Sequence, residues 1–389
     1  MCYRASIFRM APPSANLGTS PAREQPHFLA ELYRFHWSEF NLRLPMVSAS
    51  AVAVCLFVGI LVGHPGGGLI AGGGAFTIGF GANQRIADSR LIPMIVAVFA
   101  CSTATLAGTI AGHRDYWLVI AASGSALIYG VLTTRNAGWA WVGQQASVAL
   151  LIASAFPTPL RPALVRAGLI AAGGVVQVVF ASAGLRLIPN LPRDLISIAI
   201  SVANTVQEQS QDELIQRIRE LRSSLRPVTA SEAFGYSLRL MITVGLATEL
   251  YRRIGFQSGY WIPMTALLVQ RPAFEETFTR ALARILGTLV GAWAGSLLIA
   301  HLTPGPVVLA LVATLFALLA FATNSVNYGL FAACLTGYIV FLLSLNQIPG
   351  PEIAHRRAWC TILGGVIPVI VHLDAVRRLL APAADRTAP

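Results

Sequence analysis

Residues 260–291 read YWIPMTALLVQRPAFEETFTRALARILGTLVG, and this stretch decides the fold class. An apolar run opens it. The segment from Gln270 to Thr279, which carries Arg271, Glu275 and Glu276, breaks that run, and a second apolar run follows from Ala281 with only Arg284 charged. Two apolar segments on either side of a short arginine-bearing turn describe a membrane helical hairpin. A lipid-exposed backbone has to satisfy its own N–H and C=O groups, which helices of this length do.

The same pattern continues in both directions. The chain has 389 residues, 55% hydrophobic and 12% charged, with mean hydropathy +0.64. A soluble domain carries about 25% charged residues. Apolar spans are expected near 46–63, 66–82, 92–112, 115–133, 137–156 and 163–187. A second set is expected near 237–254, 258–270, 284–301, 306–322, 327–345 and 356–376. The expected fold is therefore an all-α polytopic membrane protein with two pseudo-symmetric six-helix transmembrane bundles joined by a short cytoplasmic helix.

The domains follow: 1–45, an N-terminal tail with an interfacial amphipathic helix over 27–44; 46–188, the first bundle; 189–235, a linker; 236–377, the second bundle; and 378–389, a tail. In the linker, TVQEQSQDELIQRIRELRSSLR at 205–226 has helical composition, with Leu214, Ile218, Leu221 and Leu225 at heptad-like spacing and Pro227 as its stop. Residues 1–25 hold no apolar core of a secretory signal.

All 28 basic residues are arginine, and the net charge is +11. The arginines sit at span ends and in short loops, as the positive-inside rule requires, so the charge argues for a bilayer and against nucleic acid. With both termini and the linker in the cytoplasm, only Arg114, Arg161, Arg166, Arg252, Arg253, Arg356 and Arg357 fall on the other face. Arg280 and Arg284 are counted with the inner loops. The expected location is the cell inner membrane.

The halves repeat. RAGLIAAGGVVQVV (166–179) aligns with RAWCTILGGVIPVI (357–370), and Asn136 and Gly138 meet Asn327 and Gly329 at the same offset. ATLAGTIAG (104–112) resembles ARILGTLVG (283–291), which sets Thr105 opposite Arg284 and Cys101 opposite Arg280. LRL recurs at 42–44 and 238–240. Six spans per half give both halves the same polarity, so a pseudo-twofold along the membrane normal is expected.

Tyr260-Trp261, Pro263, Thr265, Gln270 with Pro272, Arg280, Arg284, Gly287-Thr288 and Gly291 together resemble the membrane domain shared by fusaric acid resistance proteins and aromatic acid exporters. The resemblance is strong over 236–300 and extends to 376. It implies an exporter of aromatic or other organic acids. Its relatives include larger exporters with additional cytoplasmic domains and plant anion channels built on a related bundle.

Residue chemistry supplies the candidates. Tyr260 and Trp261 suit a headgroup-level anchor. Arg280 and Arg284, one turn apart, either anchor the inner mouth on phosphate headgroups or grip an organic carboxylate bidentately. Arg166 and Arg357 occupy matching places near the outer ends of two spans, where they snorkel or draw anions to a vestibule. Thr265, Gln177 and Asn327 are pathway candidates, with interhelical hydrogen bonding as the alternative. Glu249 and Asp115 are proton-coupling candidates, each beside arginines that offer an ion pair instead.

The five cysteines and scattered histidines lack metal-ligand spacing, and no phosphate loop or nucleophile elbow occurs. The reading is therefore no enzyme, no metal and no cofactor. The expected partners are the lipid bilayer and a small organic anion, with a homo-oligomer or periplasmic partner left open. A passive organic-anion channel and a non-transporting scaffold are the competing functions.

Overall fold

The computed structural model describes residues 29–87, 89–112, 116–186, 231–255, 258–302, 305–345 and 350–384. The linker helix expected at 205–226 and Asp115 lie outside these residues. Twelve helices carry the described fold. The first six are α1 (Arg43–Leu61), α2 (Pro65–Gly79), α3 (Leu91–Ala111), α4 (Tyr116–Leu132), α5 (Ala137–Ser154) and α6 (Leu160–Arg186). The second six are α7 (Ser231–Ile254), α8 (Trp261–Val269), α9 (Phe274–Leu302), α10 (Pro306–Thr323), α11 (Tyr328–Ser344) and α12 (Gly350–Ala384).

Six of these, α1, α3, α6, α9, α10 and α12, are long and apolar enough to cross a membrane. Helices α4 and α11 are apolar and slightly shorter. The protein is a multi-pass helical membrane protein. Large apolar side chains such as Phe99, Val290 and Trp293 point outward on α3 and α9, as a lipid-facing surface requires.

Helix pairing follows one scheme in each half. In the first, α1 packs on α2 and α6, α2 on α6, α3 on α5 and α6, and α4 on α5. In the second, α7 packs on α8 and α12, α8 on α12, α9 on α11 and α12, and α10 on α11. Across the halves, α4 lies on α7 and α10 on α1.

The close approaches rest on glycine. A Cβ at Gly287 would collide with the carbonyl of Gly329, and one at Gly291 with that of Ala333. The α9 and α11 backbones therefore touch, the structural role expected of a small-xxx-small pair.

Packing also sets which residues of α3 and α9 correspond. A Cβ added at Gly174 would lie 2.6 Å from Val98, and one added at Gly365, its match in the aligned α6 and α12 segments, 3.1 Å from Ile285. Val98 thus stands where Ile285 stands, and the residue matching Arg284 is Ala97, fully buried. The Thr105–Arg284 pairing suggested by sequence is displaced by two turns. Apolar helices match at several offsets, and only contacts with a third helix select one.

Other expectations are corrected here. Arg280 and Arg284 are not loop residues: α9 begins at Phe274 and carries both inside it. The described part of 27–44 is not one amphipathic helix. It forms a single helical turn, Ala30–Tyr33, and a 3-10 turn, Trp37–Glu39. The cause is tertiary: the Asn327 side chain donates to the carbonyls of Leu32 and Arg34, and His36 N–H donates to Val326 O. These contacts hold residues 32–36 against the start of α11 in a non-helical path.

Candidate functional site

Helix α8 has nine residues, about 14 Å of rise, against a hydrocarbon core of about 30 Å. Pro263 sits in its first turn, where a missing N–H costs nothing. It stops at Gln270, whose backbone turns extended, with Pro272 close behind. The last carbonyls of a helix have no intrahelical partners, and side chains from neighbouring helices satisfy them here. Arg280 Nε donates to Leu268 O at 3.1 Å, Tyr236 Oη to Gln270 O at 3.3 Å, and an Arg239 Nη to Pro272 O at 3.3 Å. A second Arg239 nitrogen lies 3.0 Å from His372 Nε2.

Around this broken helix, α9, α11 and α12 converge. Arg284 on α9 and Arg357 on α12 are each 1% exposed, the two largest fully buried side chains among the described residues. Arg357 Nε donates to Thr336 Oγ1 at 3.1 Å, and its guanidinium lies 3.9 Å from the centroid of the Trp261 ring. The Arg280 guanidinium lies 3.7 Å from the Tyr328 ring, and that of Arg284 6.0 Å from it. Arg284 and Arg357 stand on two helices, α9 and α12, that pack against one another.

Many polar atoms in this region lack hydrogen-bond partners. They are Nε and Nη1 of Arg284, Nη1 of Arg357, the hydroxyls of Thr265 and Thr288, and both amide atoms of Gln270. Among the described residues, ion pairs join Glu249 to Arg252 and Arg253, and Glu352 to Arg356. None reaches Arg280, Arg284 or Arg357. A charged side chain at the bilayer centre costs at least about 2.5–3.5 kcal/mol, and uncompensated buried charge is strongly destabilising. The arrangement is a buried, cationic, hydrogen-bond-donating cluster with no acid paired to it among the described residues.

The sequence candidates separate on this geometry. Arg280, Arg284, Arg357, Trp261 and Thr265 come together. Trp261 and its neighbour Tyr260 are 4% and 5% exposed, so they are not headgroup anchors. Their rings lie 4.7 Å apart within the core, and Trp261 serves as the floor beneath Arg357.

Arg166 does not join them. It is half-buried near the start of α6, donates to Phe156 O and lies 5.3 Å from the Phe156 ring. Asn327 is a helix cap: its Oδ1 accepts from Gly329 and Leu330 N–H while its amide holds the N-terminal segment. Gln177 is fully buried in α6 with both amide atoms unpartnered, away from the arginines in the other half. Glu249 bonds to Arg252 and Arg253 within one turn of α7.

Tyr328 and Thr336 were not singled out in the sequence. Tyr328 follows directly on Asn327, and Thr336 is a lone hydroxyl in an apolar run, which is a weak signal. A dipeptide also repeats, Gln84-Arg85 and Gln270-Arg271: Gln270 ends α8, and Gln84 ends the 3-10 turn Phe80–Asn83 that follows α2. Among the described residues no group of three histidine, cysteine or acidic side chains is placed to hold a metal.

Comparison with known proteins agrees with this half of the chain. A family model described as fusaric acid resistance protein-like matches residues 245–371, which include α8, α9, α11 and all three arginines. The inner membrane protein YccS of Escherichia coli is 30% identical over 151 residues, 38% of this chain and 20% of that protein. An uncharacterized protein of Haemophilus influenzae is 32% identical over 143 residues, 35% of this chain and 19% of its own length. The match thus spans about a fifth of each relative. No solved structure matches the chain significantly.

Proposed function

The chain is a multi-pass membrane protein with a fusaric acid resistance protein-like region at 245–371, and from that premise we propose that it moves small organic anions across the bilayer, as an exporter of aromatic or other organic acids. One observation carries the reading: Arg284 and Arg357 are fully buried with unpartnered N–H groups, and among the described residues no carboxylate pairs with them. A site that concentrates uncompensated positive charge inside hydrocarbon is completed by an anion. Arg280, held over Tyr328 and on the end of α8, extends the cationic surface toward the Gln270–Ala273 turn.

The remaining organisation belongs to the same proposal. The two halves are related by a rotation of half a turn about the membrane normal, a relation supported by their common pairing scheme. Both termini and the segment joining the halves face the cytoplasm, because most arginines flank those segments. The Gln270–Ala273 turn is then the cytoplasmic mouth and Trp261 lies toward the periplasm.

Reconstitution in proteoliposomes with labelled aromatic and aliphatic carboxylates tests the function. Flux that scales with an imposed proton gradient is the expected result. Flux that follows voltage alone makes the protein a passive channel, and no flux with any acid leaves a membrane scaffold. Modification of a cysteine introduced between residues 189 and 235 by an impermeant reagent applied from the periplasmic side would reverse the orientation.

A further inference from the structure

The aromatic rings of the pocket are already occupied. Arg357 covers Trp261 at 3.9 Å and Arg280 covers Tyr328 at 3.7 Å, so these ring faces meet guanidinium groups rather than a ligand. The rings orient cations. What the pocket still offers is charge and N–H donors, on two different helices: Nε and Nη1 of Arg284 on α9, and Nη1 of Arg357 on α12. Unpartnered hydroxyls stand along the same walls, Thr288 one turn beyond Arg284 and Thr265 against Gly364 two turns beyond Arg357.

Resting on the reading of this pocket as an anion path, we propose that its preferred ligand is an organic dianion with two separated acidic groups, one for Arg284 and one for Arg357. Charge number, and not ring stacking, then sets its selectivity. A monoanion leaves one of two mutually repelling buried guanidiniums without a counter-charge. A dianion neutralises both, one acidic group accepting from the unpartnered N–H groups of Arg284 and the other from Nη1 of Arg357. The hydroxyls of Thr265 and Thr288 are left to donate to the remaining carboxylate oxygens.

The test is saturable uptake by proteoliposomes at neutral pH, comparing succinate with butyrate and phthalate with benzoate. The pairs hold the skeleton similar and change the charge. The expected result is a preference for each dianion of about tenfold or more, with succinate transported although it has no ring. Arg357→Gln is expected to bring succinate down to the level of butyrate, while Arg357→Lys retains the preference; if Arg357→Gln does not accumulate, the wild-type ratios decide alone. Butyrate and benzoate moving as fast as their dianionic partners overturns the inference and leaves the anion path standing. Inhibition by inorganic sulfate as strong as by succinate also overturns it, because a compact oxyanion has no separated groups. If none of the four acids moves, the anion path itself falls, and the dianion with it.

Discussion

The two halves of this protein use the same helix pairings and bury different chemistry. In the second half the buried polar atoms without partners include the guanidiniums of Arg284 and Arg357; in the first they belong to neutral groups, among them Gln177, Thr109 and the Trp141 indole. Where α9 carries Arg284, α3 carries Ala97. Where Arg357 is sealed between Trp261 and Thr336, Arg166 sits half-exposed on a carbonyl. Where α8 is a nine-residue helix with Pro263 in its first turn, α2 reads PGGGLIAGGGAFTIG. The bundle therefore does not need buried cations in order to fold. Their confinement to one half marks chemistry rather than architecture.

That contrast breaks most decisively at Arg284. Arg284→Gln should leave membrane accumulation intact and lower organic-acid flux by at least about thirtyfold, the loss expected for truncating one partner of a buried charge contact. Arg284→Lys should recover part of it, since the charge remains and the planar fork does not. The reverse exchange, Ala97→Arg, places an unpaired charge in the neutral half and should cost about 3 kcal/mol or more. Thermal unfolding in detergent and membrane yield report it. Normal transport by Arg284→Gln would remove the distinction between the halves.

Arg166→Gln measures the same contrast from the other side. Its flux should stay within about twofold of wild type, as for a partly exposed group whose removal strands no buried charge. A loss as deep as that of Arg357→Gln would mean that both halves build the path.

Packing differs between the halves less than charge does. Gly291→Leu should separate α9 from α11 and lower stability by about 1–3 kcal/mol. Gly73→Ala on α2 meets open space and should stabilise by up to about 1 kcal/mol through helix propensity. The smallest effect is expected for the paired caps. Asn136→Ala and Asn327→Ala each remove an N-cap worth about 1 kcal/mol. Only Asn327→Ala should also expose residues 32–36 to protease, because only Asn327 holds that segment.

These contrasts were partly legible in the sequence. The short apolar run before Gln270 and the arginines after it announced the broken α8 and the cationic start of α9, because both are local patterns. The membrane class was legible for the same reason. The relation of Arg357 to Trp261 was not, since 96 positions separate them and only the packing of α8 on α12 brings them together. Tyr260 and Trp261 were misread because the interface rule for aromatic residues assumes exposure, which a sequence does not record. The 27–44 periodicity failed because Asn327, far along the chain, holds residues 32–36 in a non-helical path. The repeat register failed because small and apolar residues recur on every helix of both halves.

The cross-packing of α4 on α7 and of α1 on α10 has a consequence for how this molecule is assembled. Each half lends two helix faces to the other, so neither half closes its own surface. Two fragments divided between residues 187 and 230 retain both seams, so they are expected to co-purify when co-expressed; failure to do so would mean that the seams alone do not hold the halves together. A fragment carrying α7 to α12 alone keeps the pocket residues but presents the bare faces of α7 and α10 to lipid, and its natural remedy is a second copy of itself.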